Sequence, residues 1–142
     1  MSVADPNASL ELIEASLRKK LPKRFVQRSL PADPAALPER EHRAGVIAIV
    51  CEGGGDFANY MGREGDLGTM SVALAGFIVV DEKSPAKDIE VAELALLKDL
   101  LDWTNDQGAI RAGDSVLPTD FTLSKQLEHP FGWVVLKLEV RP

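Results

Sequence analysis

Three acidic side chains, Asp56, Glu64 and Asp66, lie in one glycine-rich stretch and come nearest to a chemical site in this sequence. Loop carboxylates can bind a cation, but this spacing lacks the alternating oxygen ligands of a calcium loop. The triplet Gly53-Gly54-Gly55 is placed like a phosphate-binding loop, yet no Lys-Ser/Thr pair follows it. We therefore expect no metal and no cofactor here, and interpret residues 53–68 as an extended loop.

The remaining reactive side chains are also isolated from one another. His42 and His129 fall in separate predicted loops, without a cysteine or carboxylate at metal-ligand spacing. Cys51, the one cysteine, lies in an apolar run where a small buried thiol is the usual state, and no G-x-S-x-G motif is present. The sequence thus predicts no catalytic residues and a protein that is not an enzyme.

Composition limits the class of protein further. The 142 residues suit a single domain over 1–142, with 45% hydrophobic and 27% charged residues. A net charge of −6 removes the attraction to phosphates on which nucleic-acid binders depend. Neither a signal peptide nor an apolar run long enough to span a membrane is evident, so we expect a cytoplasmic protein.

Apolar periodicity divides the chain into two helices and five strands. The pairs Asp5-Pro6 and Ser84-Pro85 supply a capping side chain and a proline at the first helical position. Helices are expected over 6–21 and 84–103, and strands over 23–30, 45–52, 69–80, 121–127 and 133–140. The apolar stripe of the first helix is expected at Leu10, Ile13, Leu17 and Leu21. The stripe of the second is expected at Ile89, Ala92, Leu96, Leu97, Leu100 and Trp103, with Glu90, Glu93, Lys98 and Asp99 on its outer face. The proline-punctuated stretch 31–43 is expected to be a loop.

The strand over 69–80, TMSVALAGFIVV, is apolar on both faces and is therefore expected at the centre of the sheet. The order α-β-β-β-α-β-β predicts a two-layer α+β fold, in which two helices cover one face of a mostly antiparallel sheet of about five strands. A strand this long predicts a β-hairpin that projects from the body. With no helix left for it, the second sheet face is expected to be bare and to pack against another subunit.

Five segments together resemble the tail terminator, or tail-completion, proteins of tailed bacteriophages, particularly of Mu-like phages and prophages. They span nearly the whole chain: ASLELIEASLRKKLP, GVIAIVCEGGGDF, the long apolar strand after the loop, VAELALLKDLLDW and FTLSKQLEHPFGWVVLKLEV. The resemblance implies a small subunit that assembles as a hexameric ring on a finished tail tube, ends its polymerisation and presents a surface for joining the head.

The resemblance also implies partners and a location. The tail tube protein and a head-tail connector protein would bind the ring, which would lie at the head-proximal end of the tail in the virion and in the host cytoplasm during assembly. We expect four residues near the hairpin tip to contact the tube or a neighbouring subunit, since aromatic, Met and Arg side chains are enriched in interfaces: Phe57, Tyr60, Met61 and Arg63. An acidic ring would let DNA pass through its lumen without specific binding.

Two other classes of function remain open at the level of sequence. One is a small host α+β binding or regulatory module that uses the same exposed sheet face for a different partner. The other is a small enzyme that uses the loop carboxylates Asp56, Glu64 and Asp66.

Overall fold

A computed structural model describes residues 5–55, 68–107 and 115–141 of the chain. These ranges contain three α-helices, a short 3₁₀ turn at Pro34–Ala36 and five strands. The helices are α1 (Pro6–Lys20), α2 (Glu39–Ala44) and α3 (Lys87–Gln107). The strands are β1 (Phe25–Gln27), β2 (Val46–Gly55), β3 (Thr69–Val79), β4 (Ser115–Leu123) and β5 (Phe131–Arg141).

The strands form one sheet in the order β1-β2-β3-β5-β4. β1 pairs with β2 in parallel, and the other three neighbouring pairs are antiparallel. The predicted α+β architecture with a mostly antiparallel five-stranded sheet is therefore confirmed. β3 lies at the middle of the sheet, as its two apolar faces predict.

The sheet face on which α1 and α3 pack, called here the helical face, carries the main core. Leu10, Ile13 and Leu17 of α1 are buried, as is the α3 stripe of Ile89, Leu96, Leu97, Leu100 and Trp103. They pack against alternate residues of the central strands, including Val72, Leu74, Val134, Leu136 and Leu138. Both helices thus cover one face, as predicted, and the stripes assigned from i, i+3, i+4 spacing are the buried ones.

Local signals explain where α1 begins and ends. The Asp5 carboxylate accepts a 2.9 Å hydrogen bond from the backbone N–H of Asn7, and Pro6 occupies the first helical position. Arg18, Lys19 and Lys20 form the last turn, where cations complement the helix dipole. Pro22 follows the helix and prevents its continuation.

Several predicted boundaries are wrong. The stretch 31–43 is not simply a loop, because Glu39–Ala44 forms α2. β2 continues through the glycine triplet to Gly55, past a bulge between Cys51 and Gly53. β4 begins at Ser115 rather than at 121, since Pro118 is tolerated in an edge strand.

The predicted projection of the β2–β3 hairpin is not found in the part of the chain that the structure describes. β3 is paired on its other side with β5 from Val79 to Met70, and β5 reaches the hairpin end with it. Apart from Ser71, the strand is buried from Thr69 to Ile78. The core therefore covers nearly the full length of β3, because α1 and α3 together span the same distance.

Candidate interaction surface

The four residues predicted to contact a tube or neighbouring subunit, Phe57, Tyr60, Met61 and Arg63, lie outside the described residues, as do the carboxylates of Asp56, Glu64 and Asp66. A contact surface must therefore be sought on the described part of the molecule. The second face of the sheet is the first candidate, because the sequence predicts it to be bare.

The prediction that the second face of the sheet is bare is wrong for the apolar part of that face. Val46, Ala48, Ala75 and Phe77 form a second buried cluster there. Leu37, which follows the 3₁₀ turn, packs on this cluster together with Phe25, Trp133 and Val135. Two of these four residues are alanine, and the larger side chains of the sheet together with Leu37 are enough to seal the cluster from water.

α2 extends this seal toward the start of β5. His42 of α2 is buried and its ring stacks on that of Phe131, with the ring centroids 5.5 Å apart. Burial lowers the pKa of His42 from its usual value near 6.5, opposed by a hydrogen bond to the backbone of Ile78. The imidazole Nε2 has no hydrogen-bond partner. His42 is thus a packed structural side chain that favours its neutral form.

A second departure from expectation lies on the helical face. Glu93, predicted for the outer surface of α3, is fully buried. Its Oε2 accepts hydrogen bonds from the Ser124 hydroxyl and, at 2.8 Å, from the Trp133 backbone N–H, while Oε1 has no partner. A Cβ on Gly132 would lie 2.5 Å from Oε2, so only glycine leaves room for this carboxylate. Glu93 ties α3 to the β4–β5 turn.

Other metal-ligating side chains do not gather into a metal site within residues 5–55, 68–107 and 115–141. No group of three or more His, Cys, Asp or Glu side chains there is arranged to hold a metal ion. Cys51, expected to be buried, is exposed, because it lies past the last residue of β2 that pairs with β1, where β2 itself forms the edge of the sheet. Within the same ranges, no helix is long and apolar enough to cross a bilayer.

Part of the exposed apolar surface lies along the outer strand β4 and the adjoining flank of α3, which together are called here the β4 edge. Phe121 of β4 pairs with Leu136 and so faces the helices, and it is 49% exposed, while Leu94 of α3 is 42% exposed. Leu117, on the other side of a bulge, pairs with Glu139 and faces the second side of the sheet. Glu90, one turn before Leu94, bonds to Gln126 at 2.9 Å, which places this flank of the helix beside the β4–β5 turn. These side chains are apolar and accessible, a combination typical of interaction surfaces.

Sequence reasoning missed this surface for an identifiable reason. Phe121 was assigned correctly to a strand, but its exposure depends on β4 being the last strand of the sheet. Pro118 was the available signal, since proline within a strand favours an edge position.

The opposite edge of the sheet, called here the β1 edge, consists of β1, the outer flank of α1 and the residues after β1. Arg18 donates two hydrogen bonds to the carbonyl of Val26, at 2.9 and 3.3 Å, and so occupies an outward-facing backbone group of β1. Leu30, just beyond β1, is 57% exposed. Residues 11–30 carry six cationic and two acidic side chains, and Lys20 and Arg24 pair with Asp106 and Asp99 of α3, so an excess of two cations remains at this edge.

No family model matches this chain, and no curated protein is significantly similar to it.

Proposed function

We propose that this chain is a structural subunit of a phage tail that closes the tail tube as a hexameric ring, ends tube polymerisation and offers a surface for joining the head. The observation that carries the proposal is the accessible apolar β4 edge, where Leu94 and Phe121 are exposed on the side of the sheet that the helices cover. Apolar side chains grouped on one edge favour a protein partner over a small ligand.

The cavities are consistent with this preference. One lies between α2 and the strand ends, lined in part by His42, Glu82 and Lys83, with a volume near 420 Å³. It is open and carries charges of both signs, unlike the enclosed, mainly apolar pockets that hold small molecules. This cavity therefore does not favour the binding of a small ligand.

The architecture also agrees with the resemblance stated above, which implies a small subunit of mixed helices and strands. Six copies of the 15.4 kDa chain would form a ring of about 92 kDa. At −6 for each copy, such a ring would carry a charge near −36. We expect like-charge repulsion to keep DNA in the lumen from binding the ring.

The proposal is tested with the tail tube protein encoded beside this chain in its phage or prophage genome. Tubes are assembled with and without the purified chain, and their lengths and ends are measured by electron microscopy. We expect shorter tubes with a ring at one end, whereas an unrelated acidic protein of similar mass should leave tube length unchanged. Uncapped tubes of unchanged length would contradict the proposal and favour a host binding module that uses the same edge.

A further inference from the structure

We infer that the β4 edge of one copy of this chain docks against the β1 edge of the next copy, head to tail, and that this contact builds the assembly. The inference rests on the proposed function, because it identifies the surfaces by which the ring subunits meet. It commits to a second copy of this chain as the occupant of the β4 edge.

The two edges lie at opposite ends of the sheet. β4 and β1 are the outermost strands in the order β1-β2-β3-β5-β4, so the two surfaces are separated by the full width of the sheet. A contact between different patches at opposite sides of a subunit is heterologous, and it closes into a ring when the rotation between copies permits. The positions of the two edges thus suit cyclic assembly.

Charge distinguishes this arrangement from a back-to-back dimer. The β1 edge has an excess of cations, whereas residues 87–97 and 115–131, which build the β4 edge, carry four acidic and two cationic side chains besides the buried Glu93. Joining a β4 edge to a β1 edge brings opposite charges together, whereas joining two β4 edges would oppose like charges around Asp120. The charge pattern therefore favours head-to-tail contact.

The backbone of both edges argues for docking through side chains rather than through a continued sheet. Ser124 donates its N–H to the Trp133 carbonyl, so by antiparallel alternation Phe121 and Leu123 direct their backbone groups outward, which by itself would permit a further strand, but the rest of the edge interrupts such a ladder. Pro118 offers no N–H, and a bulge between Pro118 and Asp120 interrupts the ladder. On β1, Arg18 already occupies the Val26 carbonyl. Apolar and charged side chains are then left as the means of contact.

Two double variants test the inference. The first, Leu94→Asp with Phe121→Asp, places charges on the apolar part of the β4 edge. The second, Lys23→Glu with Leu30→Glu, makes the β1 edge acidic. All four positions are exposed, so both proteins should fold. The control is Leu12→Asp, because Leu12 is also exposed, at 39%, but lies on a different flank of α1. Leu12 is one turn before Ser16, and Ser16 bonds to Trp103 of α3, so this flank faces α3 rather than the β1 edge.

Native mass spectrometry of each variant, alone and mixed, gives the result. Wild type and Leu12→Asp should assemble. For each double variant alone, the affinity between copies should fall at least tenfold. Mixed at equal amounts, the two double variants should form a 1:1 heterodimer, because one intact β4 edge meets one intact β1 edge. Only a head-to-tail contact predicts this species.

Other outcomes overturn the inference. If either double variant assembles as wild type does, or if the mixture yields no heterodimer, the edges do not form the contact. A monomeric wild type would likewise overturn it. Tube length tests the proposed function separately. If the wild type assembles through other surfaces and still caps tubes, only the inference about the edges is refuted. If rings depend on the two edges but leave tubes uncapped, only the proposed function is refuted.

Discussion

The two faces of the sheet are sealed by different means. On the helical face, α1 and α3 bury a continuous layer of large aliphatic side chains and Trp103. On the second face, a smaller cluster of Val46, Ala48, Ala75 and Phe77 is covered by Phe25, Leu37, Trp133 and Val135. The difference shows that a sheet face without a long helix need not be bare, because large side chains of the sheet and one short segment can cover a small apolar cluster.

Replacing the buried tryptophan of the helical face should give the largest difference in stability between the two faces. Trp103 is fully buried, and its indole N–H bonds to the Ser16 hydroxyl at 2.9 Å. We expect Trp103→Ala to lower the free energy of unfolding by about 3–5 kcal/mol. Trp133 is only partly buried on the second face, so Trp133→Ala should cost about 1–2 kcal/mol. Urea denaturation of both variants measures this, and equal losses would contradict the comparison.

The close approach of α3 to the sheet provides the next test. A Cβ on Gly76 would lie 2.6 Å from a methyl carbon of Leu96, so Gly76→Ala should cost about 1–3 kcal/mol through overpacking. The matched control is Gly55→Ala, because a Cβ there meets no atom of the described residues within 4 Å. Thermal unfolding should show a clear decrease for the first variant and a change within about 0.5 kcal/mol for the second. A neutral Gly76→Ala would mean that α3 lies further from the sheet.

The buried carboxylate on the helical face offers a smaller effect. Ser124→Ala removes one of the two donors to Glu93 Oε2 and should lower the free energy of unfolding by about 1–2 kcal/mol. Gln126→Ala removes the neighbouring bond to the partly exposed Glu90, and it should cost less. Chemical denaturation compares the two variants. If Gln126→Ala were the more damaging, the buried site would not be what fixes the β4–β5 turn to α3.

The smallest expected effect is a dependence on pH at the second face. Because burial lowers the pKa of His42, the unfolded chain binds more protons than the folded chain below pH 6.5. The free energy of unfolding should therefore fall as the pH decreases through 6.5 toward the lower folded pKa. In His42→Phe, which keeps an aromatic ring against Phe131, the fall between pH 7.5 and 5.5 should be smaller by up to about 1 kcal/mol. Identical slopes in the two proteins would contradict this role for His42.

Sequence patterns predicted the main elements but not every boundary. The stripes of α1 and α3 and the two apolar faces of β3 were assigned correctly, because residue periodicity reports which side chains share a face. α2 was missed because Pro38 and polar residues at 39–43 resemble a loop, although burial of His42 stabilises the short helix. Glu93 was misplaced because its charge favours solvent, whereas Ser124 and Gly132 accommodate it in the core.

By itself, the sequence determined that this chain forms helices and strands with defined apolar sides, since those preferences are local. Only the tertiary structure decided that β4 and β1 are the sheet edges, that the second face is sealed, and that Leu94 and Phe121 remain accessible. The physical reason is that exposure depends on which segments lie beside a residue. In this sheet one neighbour of β3 is β2, the strand before it, and the other is β5, which begins more than 50 residues after β3 ends.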